Sequence, residues 1–234
     1  TASPNCRCTA LIVSRVCAGS GPHGMDMPTR IVRAERFSAE KIGRWGQVRG
    51  DVRCAGTPRR SQNVPMTAST VEPFHVVFVC TGNICRSPMA DVVFRWFADT
   101  AGLGERVSST SAGTGDWHVG EQADQRTIDA LERHGYDGTR HRARQFTHAD
   151  FARNDLVVAL DRSHERILRG WARTEADADK IALLMSFDHG ARTLDVPDPY
   201  YAGPAMFDEV LAMIESGSRS LFRQLEPAIR PATV

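Results

Sequence analysis

A cysteine and an arginine six residues apart could together bind a phosphate group and attack it. Cys80 follows an apolar run at residues 74–79, and Arg86 closes a turn that contains Gly82 and Asn83, two residue types that tolerate positive φ. Backbone N–H groups in such a turn, in front of a helix, attract an anion. The same dipoles and a nearby cation favour the nucleophilic thiolate of a cysteine, and an arginine fork matches two phosphate oxygens. This stretch therefore predicts phosphoryl-group chemistry at Cys80.

The elements that must position this pair are a strand and a helix. Residues 74–79 are rich in Val and Phe, which is typical of a buried parallel strand. We expect Ser87 to cap the helix that follows and Pro88 to fill its first position. Further strand-like segments alternate with helical patterns, and they lie at residues 106–111, 156–160 and 181–185. The alternation predicts an α/β fold, with a four-stranded parallel sheet, helices on both faces and a phosphate-binding loop after the first strand.

Asp198 could supply the proton that a leaving group needs as it departs from phosphorus. It lies in a stiff loop at residues 195–201, which contains two prolines and two tyrosines. A carboxyl group near a bound phosphate is kept protonated by the surrounding negative charge, and it can then act as a general acid. Taken alone, Asp198 could simply shape a turn before Pro199. Beside the cysteine loop, the acid role is favoured.

The spacing of these residues is that of a known enzyme family. The pattern Cys-x5-Arg-Ser from Cys80 to Ser87 resembles the protein tyrosine phosphatases. The fuller string at residues 79–90, with Cys85 inside the loop, resembles the low-molecular-weight class of these enzymes. The resemblance extends over residues 74–225. It implies hydrolysis of phosphotyrosine through a phosphocysteine intermediate, without a metal or an organic cofactor.

The resemblance also implies roles for the central residues. Cys80 would be the nucleophile, Arg86 the phosphate clamp, and Asp198 the general acid and then the base. An exposed Cys80 thiolate would oxidise readily, and Cys85 on the same loop could trap it as a disulfide.

The remaining site residues are also implied by the resemblance. Trp117, in a glycine-rich loop at residues 112–120, would stack on the substrate ring, although a loop tryptophan could instead fold back on the core. Substrate-binding positions would be Thr81, Gly82, Asn83, Ile84, Cys85, Ser87, Trp117, Tyr200 and Tyr201. Ser111 and His141 would join Asn83 and Ser87 in a network that supports the loop. Asp161 also matches a family position, whereas at His164 the family more often has a polar residue such as Asn.

Two other functions are open to this sequence. Arsenate reductase can use the same fold, but that reaction needs further cysteines downstream to relay a disulfide, and no cysteine follows Cys85. A phosphate-binding module without turnover would be expected to lack the nucleophile or the acid, and both are present here. Hydrolysis of an aryl phosphate without metal would distinguish these cases.

The charge distribution divides the chain into two parts. Residues 1–72 hold 11 Lys plus Arg against 5 Asp plus Glu, whereas residues 73–234 hold 18 against 23. The first part has only two aromatic residues and no sustained periodicity, so it cannot bury enough apolar area to offset its conformational entropy. We predict a disordered basic N-terminal extension at residues 1–72, with Met66 as an alternative start. Residues 73–234 are predicted to form the low-molecular-weight phosphatase domain.

Composition also limits the partners of the chain. The net charge of +1 argues against nucleic acid, and no apolar run approaches the roughly 20 residues of a membrane span. The apolar stretch at residues 11–13 is too short for the core of a signal peptide. We therefore expect a cytoplasmic monomer that acts on phosphotyrosine-containing proteins, with export by a non-classical route left open. The preference for Arg over Lys, 27 against 2, indicates a GC-rich bacterial source.

Overall fold

The computed structural model describes residues 72–230. The extension predicted at residues 1–72 lies outside these residues, apart from its last position. The described part contains one four-stranded sheet in which all neighbouring strands are parallel, with the order β2-β1-β3-β4. The strands are β1 (Phe74–Cys80), β2 (Val107–Gly113), β3 (Leu156–Ala159) and β4 (Ile181–Leu183).

Six α-helices of the described residues alternate with these strands. They are α1 (Arg86–Thr100), α2 (Gln125–Arg133), α3 (His148–Arg153), α4 (Arg162–Trp171), α5 (Glu175–Asp179) and α6 (Pro204–Ile229). A 3₁₀ turn (Leu184–Ser186) follows β4 directly, so the last strand is shorter than its apolar run indicated. None of the helices within residues 72–230 is long and apolar enough to cross a membrane.

Both faces of the sheet are covered, as the sequence predicted. On one face, Val76 and Phe78 of β1 join a buried cluster with residues of α1 and α6, including Phe94. On the other face, Val77 and Val79 pack in a second cluster with residues of α3 and α4. A strand buried on both sides needs apolar residues at every position, and this explains the continuous apolar run of β1. Each fully buried Val or Phe contributes about 1.5–3 kcal/mol to stability.

The strand order places a crevice above β1 and β3. The chain leaves β1 towards β2 on one side, whereas β3 lies on the other side and leads on to β4. The loops that follow β1 and β3 therefore diverge at the carboxyl edge of the sheet, where ligands of such folds bind. Cys80 ends β1 and Asp161 comes soon after β3, so this edge carries both residues.

The start of α1 differs from the prediction. We expected Ser87 to cap this helix, but the helix begins at Arg86, Cys85 occupies the N-cap position, and no side chain caps it. The Ser87 hydroxyl instead lies 2.9 Å from the Cys80 sulfur and accepts a hydrogen bond from Asn83. The side chain is therefore turned towards the loop before the helix, and its polar atom is satisfied there.

Candidate active site

The phosphate loop, residues 80–86, is a turn whose shape depends on Asn83. Asn83 has φ of 57° and is the one residue other than glycine with positive φ among those described. Asn tolerates this left-handed conformation better than most residues. The backbone N–H groups of residues 82–85 donate to no protein acceptor within residues 72–230. The loop therefore offers several donors, at the start of α1, to an incoming anion.

Asn83 is fully buried and ties the phosphate loop to three other segments. Its side-chain amide donates to Ser87 Oγ and Ser111 Oγ, both at 2.9 Å. Its side-chain oxygen accepts from the backbone N–H of Arg144 at 2.9 Å. Its backbone oxygen accepts from His141 Nε2 at 2.6 Å. The structure thus brings together the four residues expected to form the supporting network, and it adds Arg144.

His141 is held in its neutral form by its surroundings. Burial lowers the pKa of His141, and the hydrogen bond to the Asn83 carbonyl opposes this shift only in part. Because a carbonyl oxygen can only accept, Nε2 carries the hydrogen. His141 is therefore a hydrogen-bond donor that fixes the backbone of the phosphate loop, although it lies 58 residues from Asn83 in the sequence.

Cys80 is buried rather than exposed, because the loop folds over the end of β1. Cys80 still lines the cavity described below, and its sulfur lies 2.9 Å from Ser87 Oγ. Ser87 Oγ accepts from the Asn83 amide and donates to the Ala112 carbonyl at 3.3 Å, while it lies within hydrogen-bond distance of the sulfur. Ser87 is therefore placed so that its hydroxyl hydrogen can turn from the Ala112 carbonyl to the Cys80 sulfur.

Cys85 has a different environment from Cys80 on the same loop. Burial raises the pKa of the Cys85 thiol to about 12, and nearby carboxylates add to this effect. Cys85 is therefore a neutral thiol near pH 7 and not a second nucleophile. The trapping of oxidised Cys80 by Cys85 stays a prediction.

Arg86 is the centre of the ionic contacts in the site. Its side chain is only 4% exposed. Nη1 donates to Asp161 Oδ2 at 2.7 Å and to the Val196 carbonyl at 3.1 Å. Nη2 donates to Asp198 Oδ2 at 2.7 Å and to Thr81 Oγ1 at 3.3 Å. The guanidinium thus joins both carboxylates of the site to the phosphate loop.

The two carboxylates that contact Arg86 differ in burial and support. Asp161 caps α4 and accepts the backbone N–H groups of Ser163 and His164. Burial alone would raise the pKa of Asp161, but the His164 ring 3.0 Å away and the hydrogen bonds from Ser163 and from the His164 backbone together hold it well below its usual range. Asp161 is therefore a permanent carboxylate, whereas Asp198 is 47% exposed at the mouth of the site.

A cavity of about 310 Å³ opens above Cys80. Trp117 and Tyr201 stand at its rim, 70% and 97% exposed. The cavity brings together most residues expected at the substrate site, and its lining comprises Cys80, Thr81, Gly82, Ile84, Cys85, Arg86, Trp117, His118, Asp198, Tyr200 and Tyr201. Asn83 and Ser87 lie behind this lining as supports.

Two glycines allow the glycine-rich loop to approach the site closely. A Cβ at Gly113 would lie 2.7 Å from the Thr81 carbonyl oxygen, so a side chain there would displace the phosphate loop. A Cβ at Gly115 would overlap the Trp117 ring at 1.8 Å. Trp117 is thus folded across its own loop and held at the rim.

A further contact connects the phosphate loop to the acid loop, residues 195–203. Arg126 forms a two-point ion pair with Asp124, at 2.9 and 2.7 Å, and donates to the Ala202 carbonyl at 3.0 Å. Its guanidinium also lies 4.6 Å from the ring centre of Phe207 at the start of α6. Asp124 in turn donates its backbone N–H to the Ile84 carbonyl at 2.9 Å. We did not identify this pair from the sequence; its one signal is an Asp at the N-cap of a helix with an Arg two residues later.

Comparison with known proteins gives consistent matches. A family model described as low molecular weight phosphotyrosine protein phosphatase matches residues 75–230. A low molecular weight protein-tyrosine-phosphatase from Streptomyces coelicolor is 56% identical over 150 residues, which are 63% of this chain and 91% of the relative.

Solved structures with the same fold also match. The crystal structure of YfkJ from Bacillus subtilis has a TM-score of 0.64 at 34% identity, and it covers 68% of this chain and 98% of that one. A mutant of the YwlE arginine phosphatase has a TM-score of 0.59 at 29% identity, over 65% of this chain and 96% of that one. The range matched by the family model contains the sheet, the phosphate loop and the acid loop. This chain therefore belongs to the low molecular weight phosphotyrosine protein phosphatase family.

Proposed function

We propose that this chain hydrolyses phosphotyrosine in proteins through a phosphocysteine intermediate formed on Cys80. The observation that carries the proposal is the arrangement around one cavity. A cysteine with a hydroxyl group 2.9 Å from its sulfur lies there with an arginine fork and a partly exposed carboxyl group. This combination supplies a nucleophile, a phosphate clamp and a proton donor within one site.

Substrate binding exchanges one partner of Arg86 for another. A phosphate group that enters the loop can use the N–H groups of residues 82–85 and the Arg86 guanidinium. It competes with Asp198 for Nη2, which donates to that carboxylate at 2.7 Å. Asp161 keeps Nη1 in place at 2.7 Å during this exchange. Arg86 can thus turn one half of its fork towards the substrate while the other half stays anchored.

The first chemical step transfers the phosphoryl group to the enzyme. The Cys80 thiolate forms a bond to phosphorus as the bond from phosphorus to the tyrosine oxygen breaks. Asp198, released from Arg86, takes up a proton from solvent beside the negative phosphate and donates it to the departing oxygen. The N–H groups of the loop and Arg86 stabilise the charge on the equatorial phosphoryl oxygens.

The second step releases inorganic phosphate. Asp198, now a carboxylate, removes a proton from a water molecule that attacks phosphorus, and the bond from phosphorus to Cys80 breaks. Ser87, 2.9 Å from the sulfur, can donate a hydrogen bond to the thiolate as it leaves. The same residues therefore serve both steps with reversed proton transfer.

The rim of the cavity favours an aromatic phosphoester. Trp117, Tyr200 and Tyr201 present apolar surface beside the phosphate loop, so the ring of phosphotyrosine could stack there. Phosphoserine has no ring to make these contacts and would reach less far into the cavity. Because one structural relative is described as an arginine phosphatase, phosphoarginine is the most informative competing substrate.

The test compares one peptide sequence that carries phosphotyrosine, phosphoserine or phosphoarginine, together with reduction of arsenate. We expect a kcat/KM for phosphotyrosine at least about 100-fold above the others, without added metal, and no turnover by Cys80→Ser. Acid quenching during turnover should trap a phosphorylated chain in the wild type. Preference for phosphoarginine or arsenate, or turnover by Cys80→Ser, would contradict the proposal.

We also propose that the chain works as a monomer in the cytoplasm. The family and the proposed phosphoprotein substrate support a location in a cell compartment that contains phosphorylated proteins. Size-exclusion chromatography with light scattering of the full chain checks the oligomeric state, and cell fractionation checks the location.

A further inference from the structure

His164 is a buried ionisable residue that the proposed mechanism does not use. It lies in the first turn of α4 and is 1% exposed. Burying a polar ring is costly unless its nitrogens find partners. Its two nitrogens face two residues of the site, and this makes a role in packing alone an incomplete explanation.

Each nitrogen of His164 lies near one neighbour of Arg86. Nε2 is 2.9 Å from Thr81 Oγ1. Nδ1 is buried and lies 3.0 Å from Asp161 Oδ1, within ion-pair distance but outside hydrogen-bond alignment. Arg86 in turn donates to Asp161 Oδ2 at 2.7 Å and to Thr81 Oγ1 at 3.3 Å. The four side chains thus form a closed ring of polar contacts around the phosphate clamp.

Arg86 can only donate, so Thr81 Oγ1 accepts from it. The same oxygen can also accept from His164 Nε2 or donate its own hydrogen to it, and the tautomer of His164 decides which. In both cases Thr81 is held by Arg86 on one side and by His164 on the other. Thr81 is the residue after Cys80, so this ring reaches the nucleophile's own neighbour in the chain.

We propose that His164 is a positioning residue, which holds Thr81 and Asp161 so that the Arg86 guanidinium is aimed at the phosphate before the substrate arrives. When a phosphate takes Nη2 of Arg86, Thr81 can lose its contact with Arg86 but keeps its contact with His164. The phosphate loop therefore stays closed while the clamp turns. This inference rests on the proposed function for its effect on turnover, but the effect on anion binding does not depend on it.

The main test measures binding of inorganic phosphate to the full chain by calorimetry, with turnover of phosphotyrosine measured in parallel. His164→Leu removes both nitrogen atoms, and we expect the Kd for phosphate to rise about 5- to 10-fold. His164→Asn keeps a polar group with a shorter reach and should lose about 2- to 4-fold. The matched control is Leu168→Val, one turn further along α4 and fully buried. It should lower the unfolding temperature and leave the Kd within about twofold of the wild-type value.

A double-mutant cycle shows whether His164 acts through Thr81. Thr81→Val keeps the shape of the side chain and removes the hydroxyl. If both residues act as one unit, the Kd of the double variant for phosphate should be at most about twofold higher than that of the weaker-binding single variant. The proposal would be overturned if His164→Leu bound phosphate with wild-type affinity. If the Leu variant does not fold, wild-type affinity in both His164→Asn and Thr81→Val would overturn it. So would single-variant losses that multiply in the double variant.

The outcomes also separate this inference from the proposed function. Weakened phosphate binding in the His164 variants, in a chain whose wild type does not hydrolyse phosphotyrosine, would support the positioning role and reject the proposed substrate. Full turnover with unchanged phosphate affinity in those variants would support the function and reject the positioning role.

Discussion

The phosphate loop and the acid loop meet at one cavity but are held in opposite ways. Asn83 in the phosphate loop is fully buried and makes hydrogen bonds to three other segments. In the acid loop, Asp198 is 47% exposed and Tyr201 is 97% exposed. The groups that must match the phosphate geometry are thus fixed in advance by buried contacts. The group that must exchange partners during turnover sits where a change of partner disturbs little packing.

This difference follows from what each loop must do. Stabilising a transition state needs donors that do not have to reorganise, and buried contacts give them that rigidity. A carboxylate that begins in an ion pair with Arg86 must leave that pair and gain a proton before it can act as an acid, and an exposed side chain allows this at low cost. Under the proposed mechanism, the substrate therefore displaces the ion pair of Asp198 with Arg86.

The largest predicted effect concerns the acid loop. Asp198→Ala should lower kcat/KM for phosphotyrosine by about 10²–10⁴-fold, because the departing oxygen then receives no proton. Esters of very acidic phenols, which leave without a proton, should lose far less. Since Asp198 also competes for Arg86, the variant should bind inorganic phosphate more tightly than wild type. An equal loss across all leaving groups would contradict the acid role.

The next effect concerns the phosphate loop. Asn83→Ala removes three side-chain hydrogen bonds and strains a residue at φ of 57°. We expect kcat/KM to fall about 10- to 100-fold for every leaving group and phosphate binding to weaken, opposite in sign to Asp198→Ala. Asn83→Gly is the matched control, because it relieves the backbone strain by about 1 kcal/mol without restoring the bonds. Near-wild-type turnover in the Ala variant would show that the network does not govern the loop.

The support of the acid loop gives a smaller predicted effect. Arg126→Met removes the hydrogen bond to Ala202 and the pair with Asp124, and we expect kcat/KM for phosphotyrosine to fall about 5- to 10-fold. Esters of acidic phenols should be affected less, because the variant misplaces the general acid Asp198 and these esters need no proton to leave. Arg133→Met, on the same helix and paired with Asp208 at the surface, is the control and should leave both activities unchanged. A loss independent of the leaving group would move Arg126 into the support of the phosphate loop.

The same contrast explains what the sequence could predict. The phosphate loop is a contiguous stretch whose residue types fit one anion, so Cys80 and Arg86 were identifiable from spacing alone. Among its supports, Ser111 and His141 were named only through the family resemblance, and Arg144 and His164 were given no role. These last two reach the loop across 61 and 83 residues, and nothing in a single sequence pairs such positions. The helix α5 was also missed, because it has only five residues and none of them is buried. Without a buried stripe there is no periodicity to detect.

A pH effect on stability should come from His141, which supports the phosphate loop, rather than from the acid loop. The lowered pKa of His141 means that the unfolded chain binds a proton more readily than the folded one. His141 therefore contributes stability that is fully present above its ordinary pKa of about 6.5 and is lost as the pH falls through the lower folded value. The free energy of unfolding, measured with denaturant, should fall more steeply between pH 7.5 and pH 5 in the wild type than in His141→Gln. The exposed His189→Gln is the control and should follow wild type; identical slopes in all three would contradict the assignment.

The smallest effect is expected at the outer end of the acid loop. Tyr201 is almost fully exposed and touches Tyr200 edge to face, with ring centres 5.0 Å apart. Tyr201→Ala should change the free energy of unfolding by less than about 0.5 kcal/mol, because little area is buried there. Turnover of a small aryl phosphate should stay within about twofold of wild type, whereas kcat/KM for a phosphotyrosine peptide should fall about 2- to 5-fold through KM, since only the peptide extends past the rim. Equal losses for both substrates would place Tyr201 at the phosphate itself, and the acid loop would then be as tightly coupled to the chemistry as the phosphate loop.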